Sequence, residues 1–212
     1  MREEALTHTR AVVEATDLPV SADLENGFGH EPSAAAKTVQ RAAEAGLVGC
    51  SIEGFSGDPG LGFYDPDSAV ARIAASADAA RAVGFAFTLT GRSENFIRGD
   101  PDLDDTIARL KAYEAAGADV LMAPGLPDIA AVKTVCDALS KPFNFMVGIP
   151  GKSFTVAELA GAGVKRISLA TSLYRAAMSG VVAAATEAKE NGTFSSVDSS
   201  MPTPEFAGYM RG

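Results

Sequence analysis

Three acids and one arginine carry the chemistry that can be read in this sequence. Asp23 and Glu25 lie two residues apart, Glu53 closes Cys50-Ser51-Ile52-Glu53, and Arg92 follows Thr90-Gly91. Each stands at the end of a short β-like run. Residues two apart on a strand point to the same side, so Asp23 and Glu25 are expected to face one way. Converging carboxylates repel one another, and a hard divalent cation is the simplest relief. Oxygen ligands with room for several waters suit Mg2+, with Mn2+ as a substitute. Spacing alone also fits solvated loop acids. A guanidinium at position 92 suits bidentate capture of a carboxylate or phosphoryl group. A salt bridge from Arg92 to one of the acids is the alternative, and the two readings overlap.

Other polar residues carry weaker signals. Asn144 lies inside the apolar run Phe143–Val147 and needs a partner there, either backbone or substrate. Gly148-Ile149-Pro150-Gly151-Lys152-Ser153 could present backbone N–H groups to an anion, but it lacks the pattern of a nucleotide-binding loop. His8 reads as a solvated helix residue. His30 reads as a surface loop residue, with a place in the site as the alternative. No Ser-His-Asp or Cys-His arrangement and no zinc spacing can be read.

The elements that would position these residues alternate along the chain. Strand-like runs cover Pro19–Glu25, Gly49–Glu53, Phe85–Thr90, Val120–Ala123, Phe143–Val147 and Val164–Leu169. Most read as apolar on both faces, as parallel strands covered on both sides do. Helical patterns fill the intervals: Ser33–Ala45, Ser68–Val83, Asp104–Ala116, Asp128–Leu139, Thr155–Ala162 and Ser172–Glu190, after an opening helix Glu3–Ala15. Gly46, Gly84, Gly117 and Gly163 follow helical runs, where a left-handed residue closes the helix. Pro32, Pro66 and Pro127 mark helix starts.

A βα unit repeating at roughly 30–40 residues predicts an α/β fold of the (β/α)8 TIM type, with an open doubly wound sheet as the competitor. Such a barrel needs eight strands and about 250 residues. Six units are readable here, so the barrel is expected to be shortened at its N-terminus by two βα segments, or completed by a partner subunit. Residues 1–192 are assigned to this barrel domain and 193–212 to a C-terminal loop and short helix. In a barrel the site lies at the carboxyl ends of the strands, where the acids and Arg92 fall.

The bulk properties narrow the partners. The chain has 212 residues, 47% of them hydrophobic, which supports one full-sized core. A net charge of −9 repels phosphate backbones, so nucleic acid is not an expected partner. The Ala-rich stretch Ala176–Ala188 is too short and too polar to span a bilayer, so no membrane is expected either. Cys50 and Cys136 read as free thiols in a reducing compartment, and the start of the sequence carries no apolar signal region. The expected location is cytoplasmic.

Asp23-Leu24-Glu25-Asn26-Gly27-Phe28-Gly29 resembles the Asp-x-Asp/Glu-x-Gly-Tyr/Phe-Gly metal motif of the isocitrate lyase/phosphoenolpyruvate mutase superfamily. Ser51-Ile52-Glu53 is similar to its next acid segment, and Thr90-Gly91-Arg92-Ser93 to its Ala-Arg-Thr-Asp segment. Tyr113-Glu114-Ala115-Ala116-Gly117-Ala118-Asp119 and Val164-Lys165-Arg166-Ile167-Ser168 match further hallmarks in the same order. The resemblance implies a (β/α)8 barrel in homodimers or homotetramers that exchange a C-terminal helix. It implies Mg2+ held largely through water by Asp23, Glu25 and Glu53. It also implies a small 2-oxo acid substrate clamped by Arg92; Asn144 and Gly27 are further candidate substrate contacts, and Glu53 and Arg92 the candidate catalytic residues.

One departure bears on the reaction. Isocitrate and methylisocitrate lyases carry Lys-Lys/Arg-Cys-Gly-His in the loop after the second acid, and phosphonomutases carry Lys and Asn there. This chain reads Gly54-Phe55-Ser56-Gly57-Asp58-Pro59-Gly60-Leu61-Gly62-Phe63-Tyr64-Asp65, with no Cys, His or Lys. Tyr64, Asp58 and Asp65 are the only proton-transfer candidates there. The expected function is therefore Mg2+-dependent C–C cleavage of an oxaloacetate-like acid. The alternatives are phosphonomutase-like P–C chemistry and a catalytically weak binding or assembly protein. The helix Ser172–Glu190 and the stretch after it are the expected subunit contact.

Overall fold

The computed structural model describes residues 1–210. The opening helix α1 spans Arg2–Glu14, and six βα units follow it. They are β1 (Ser21–Asp23) with α2 (Pro32–Glu44), β2 (Gly49–Glu53) with α3 (Pro66–Ala82), and β3 (Thr88–Arg92) with α4 (Leu103–Ala115). The rest are β4 (Val120–Met122) with α5 (Ile129–Ala138), β5 (Phe143–Met146) with α6 (Val156–Gly161), and β6 (Arg166–Ser168) with α7 (Ser172–Asn191). A short helix α8 (Thr203–Tyr209) comes last.

Local chemistry explains the helix boundaries. Pro32 occupies the first turn of α2, where its missing N–H costs nothing. The carboxylates of Asp65, Asp102 and Asp128 cap α3, α4 and α5 by accepting from Ser68, Asp105 and Ala131 N–H at 2.8–2.9 Å. Thr155 and Glu158 form a reciprocal capping box on α6. The glycines expected to close helices, Gly46, Gly84, Gly117 and Gly163, all have positive φ.

The strands form one parallel sheet in the order β1-β2-β3-β4-β5-β6. Strictly sequential order is that of a barrel and not of a doubly wound sheet, whose order reverses at its centre. In a flat sheet β1 and β6 would stand five strand spacings apart, roughly 24 Å. Instead, Arg166 Nη2 of β6 donates to Ser21 Oγ of β1 at 3.0 Å, so the sheet is curled. Among the described residues β1 and β6 do not pair, and the array is a six-stranded part of a barrel, not the closed eight-stranded one.

The two faces of the sheet differ, which corrects the expectation of strands apolar on both sides. Leu24, Ile52, Leu89, Leu121, Phe143 and Phe145 bury one face with Val39, Ile73, Leu110, Val132 and Leu159 of the helices. The opposite face alternates with it and is polar. The register runs Glu53↔Arg92↔Met122↔Asn144↔Arg166, and one row behind it Asp23↔Ser51↔Thr90. Residues paired across parallel strands share a face, so these side chains line one surface. A core on both faces is impossible with this row inside.

The described chain divides into two compact units, Met1–Ser168 and a second beginning at Leu169. The helix α7 has no buried residue. Within the second unit Glu187 accepts from Thr193 Oγ1, Ser195 N and Oγ, and Ser196 N at 2.6–3.0 Å, and these bonds hold its carboxyl down at about 2. Among the described residues no helix is long and apolar enough to cross a membrane. Cys50 is a buried free thiol and Cys136 a half-buried one.

Candidate active site

The carboxyl ends of β1, β2 and β3 bring Asp23, Glu53 and Arg92 together, as the sequence predicted, and add two residues it did not single out, Glu94 and Arg98. Arg92 Nη1 donates to Asp23 Oδ2, and its Nε donates to Glu94 Oε1. The same Nε lies 3.7 Å from Glu53 Oε2. Arg98 mirrors this arrangement: its Nε donates to Glu94 Oε2 at 3.0 Å, and its Nη2 lies 3.7 Å from Glu53 Oε1. Two guanidinium groups and two buried carboxylates thus close a ring, with Asp23 attached at its edge.

Burial sets the electrostatics of this ring. The Glu94 side chain is 0% exposed and that of Glu53 only 5%, so each depends on the arginines for solvation. Burial, then the neighbouring Glu94 and Asp23, push the Glu53 carboxyl up to about 8, against the opposing pull of Arg92 and Arg98. Burial alone would lower the Arg92 pKa. The charges of Asp23, Glu94 and Glu53 outweigh it and hold Arg92 above its ordinary value.

A pH dependence follows. The folded protein holds a proton on Glu53 that the unfolded chain, titrating near 4.5, releases. Stability of the metal-free protein should therefore fall as pH rises from about 5 to about 8 and level off above that. Glu53 contributes at most about 1.4 kcal/mol per pH unit. Denaturant titrations in chelator should show this slope, and Glu53→Gln should flatten it; an unchanged slope in that variant would exclude Glu53 as its source.

Several expected roles need correction. Glu25 does not share a strand face with Asp23, because β1 ends at Asp23 and Glu25 sits in a left-handed turn at φ 50°. Its N–H donates to Asp23 Oδ1 at 3.1 Å and its carbonyl accepts from Glu53 N–H at 3.0 Å, while the residue itself is exposed. Arg92 is not a free clamp: two of its nitrogens are committed to acids, leaving Nη2 as the uncommitted edge. Gly27 has no spare backbone group for a substrate. Its N–H donates to Leu24 O at 2.8 Å, and its carbonyl accepts from Thr38 Oγ1 at 2.6 Å and Arg2 Nη2 at 3.3 Å.

Gly27 serves instead to turn the chain against α2. Its φ is +75°, and an added Cβ would fall 2.9 Å from Ala35 Cα. Gly27→Ala should cost about 1–3 kcal/mol, measurable as a lowered unfolding midpoint.

Asn144 fares differently. It is 2% exposed, its Nδ2 donates to Met122 Sδ at 3.2 Å, and its Oδ1 has no partner. No backbone group satisfies it, although it sits in the same row as Arg92, two strands along. Lys152 of the Gly-rich loop is engaged with Gly125 O at 2.6 Å. His8 is exposed. His30 Nδ1 lies 2.9 Å from the Tyr64 hydroxyl, and Asn26 Nδ2 donates to the same hydroxyl at 3.2 Å.

The loop after β2 folds back on itself through a Phe55↔Phe63 bridge. Arginines fix it from outside: Arg98 stacks 4.2 Å over Phe55, and Arg109 Nη1 donates to Tyr64 O at 3.2 Å. Arg72, buried in α3, donates to the carbonyls of Asn26, Gly29 and His30 and lies 4.3 Å over the Tyr64 ring. Nothing in the pattern of α3 marked Arg72. Glu94 stood in plain view two residues after Arg92, but its return to the site depends on how the chain leaves β3.

The ring suits a hard cation in one respect and limits it in another. The donors are carboxylate oxygens, and a divalent ion would relieve the crowding that keeps Glu53 protonated. Among the described residues no three His, Cys, Asp or Glu side chains gather closely enough to hold an ion by themselves. Ions bound here would keep part of their water shell, as Mg2+ does.

Parallel βα units with acids and arginines at the strand ends define a barrel-type strand-end site. The chain belongs to the phosphoenolpyruvate phosphomutase family, whose sequence model matches residues 1–189. It lies within the superfamily that unites these mutases with isocitrate lyase. A provisionally named lyase/mutase from Burkholderia cenocepacia J2315 is 47% identical, with a TM-score of 0.96 over 100% of this chain and 76% of that one. The oxaloacetate decarboxylase of Paraburkholderia xenovorans is 33% identical over 71% of this chain and 50% of its own length. The 2-methylisocitrate lyase of Escherichia coli is 28% identical over 95% of this chain and 69% of its own. The chain spans about half the length of several curated relatives that it matches.

Proposed function

We propose that this chain forms the site of a Mg2+-dependent lyase that cleaves the C–C bond beside the carbonyl of a small 2-oxo carboxylate of the oxaloacetate type. The observation that carries the reading is the ring at the strand ends: Asp23, Glu53 and Glu94 held by Arg92 and Arg98, beside a loop with no thiol, imidazole or amine. Decarboxylation or hydrolytic cleavage of such an acid asks mainly for an electron sink and a grip on carboxylate.

Mg2+, when bound, supplies the electron sink for charge that develops on the 2-oxo oxygen. Asp23 and Glu53 would hold it, with Glu25 at the solvent side. Arg92 offers its Nη2 edge to the substrate carboxylate while Glu94 fixes the plane of the guanidinium. Asn144 brings its unpaired Oδ1 and its Nδ2 to the same surface. The ring keeps the acids in place before any ion arrives, so little reorganisation accompanies binding.

The protein acts as a homodimer or homotetramer in the reducing cytoplasm. The long helix α7 supports the assembly: Leu173, Tyr174, Val181 and Val182 are exposed along it. Exchange of this helix between copies would cover them, and sedimentation equilibrium tests it.

Calorimetry with oxalate, a mimic of the enolate, tests the site. Oxalate should bind tightly only when Mg2+ is present, and oxaloacetate should then be consumed in a Mg2+-dependent way. Phosphate release from phosphonopyruvate would move the reading to P–C chemistry. Absence of both binding and turnover would leave a binding or assembly role.

A further inference from the structure

Of the two arginines, Arg98 is the one whose side chain is substantially open to solvent. It is 40% exposed, against 9% for Arg92, 5% for Glu53 and 0% for Glu94. Its guanidinium is nevertheless fixed. Nε–H is bound to Glu94 Oε2 at 3.0 Å, Nη2 lies 3.7 Å from Glu53 Oε1, and the plane stacks 4.2 Å over Phe55, which is itself braced edge-on by Phe63 at 5.5 Å. A guanidinium has five N–H groups. Glu94 takes one, the Glu53 contact is too long for a hydrogen bond, and Nη1 has no partner among the described residues. Long exposed arginines ordinarily lose side-chain entropy when they capture an anion. This one is already immobilised by a buried acid and an aromatic ring, which lowers that cost.

Glu94 also sets where Arg98 stands. Its two oxygens accept one from Arg92 and one from Arg98, which places the two guanidinium heads side by side on one carboxylate. We infer that Arg98 is a second-anion subsite: it takes the distal carboxylate of a dianionic substrate, and so selects dicarboxylic 2-oxo acids over monocarboxylic ones. This rests on the function proposed above, with Arg92 at the carboxylate nearer the carbonyl.

Malate and lactate share a 2-hydroxy carboxylate end and differ in the distal carboxylate, and neither loses CO2 readily. Calorimetric titration of each, and of oxalate, into the Mg2+-loaded full chain separates the two ends of the site. The wild-type protein should bind malate at least about tenfold more tightly than lactate. Arg98→Gln should bring the two within about twofold of each other by weakening malate far more than oxalate, while Arg98→Lys should retain part of the preference. A malate preference that survives in Arg98→Gln would overturn the subsite and leave the proposed function standing. An equal loss of oxalate, malate and lactate binding in Arg98→Gln would also overturn it, by showing that Arg98 merely supports the ring. Failure of the wild-type protein to bind oxalate with Mg2+ would overturn the proposed function and the subsite together.

Discussion

Arg92→Met should lower stability by about 3–5 kcal/mol, the range for removing one partner of a buried ion pair, and reduce kcat/KM for the 2-oxo acid by three orders of magnitude or more. Methionine keeps much of the volume and removes the charge. Glu94, with no exposed side-chain surface, would keep only Arg98, and Asp23 would lose its charged donor and keep only the Glu25 N–H and the Ser51 hydroxyl. Three carboxylates would then face one guanidinium, so the Glu53 carboxyl, already near 8, should rise further. The two effects separate experimentally. Denaturant unfolding in chelator reads the ring, and turnover in Mg2+ at a temperature well below the variant's midpoint reads the substrate contact. A stability loss under 1 kcal/mol would show that the ring is solvated and the arginine dispensable to the fold.

The second large effect lies outside the ring. Arg72→Met should cost about 3–5 kcal/mol, because buried carbonyls left without donors cost roughly 1–3 kcal/mol each. Arg72 is 1% exposed, and its guanidinium serves Asn26, Gly29 and His30, the turn that follows Asp23. Its stacking on Tyr64 would be lost as well. The turn should loosen, and amide exchange across residues 24–30 should accelerate far more than exchange in α5 or β5. Mg2+ affinity should drop by at least about tenfold, since Asp23 and Glu25 would no longer be preorganised. A variant with wild-type unfolding and wild-type exchange in this turn would show that α3 does not hold it.

The order of the elements was legible because it rests on local rules. Caps at Asp65, Asp102, Asp128 and Thr155 and the glycines after each helix act within a few residues, and the expected elements fall within a few residues of those observed. The convergence of Asp23, Glu53 and Arg92 was legible because strand ends in parallel folds gather on one edge of the sheet. What escaped depends on three dimensions. Alternation could not place Glu25, since the strand stops two residues earlier. The polar inner face was hidden because Ser51, Thr90, Met122 and Asn144 are scattered through four runs and align only in register. Arg72 lies in an Ala-rich helix and reads as a solvated charge, and only the fold brings it under the turn that follows Asp23. Arg98 sits in a loop, where an arginine carries no signal until its neighbours are known.

The division of one buried carboxylate between two arginines has a consequence for how this protein can diverge. Positions 92, 94 and 98 form a single heritable unit: a change at 94 takes one partner from each of two cations, and a change at 92 or 98 leaves a buried anion with one arginine instead of two. Double replacements at 92 and 98 should therefore depart from the sum of the single ones, by 0.5–3 kcal/mol where the residues share a partner. A lineage that sheds the outer arginine is expected also to replace Glu94 or surround it with new donors, so these positions should change in paired steps rather than by single drift.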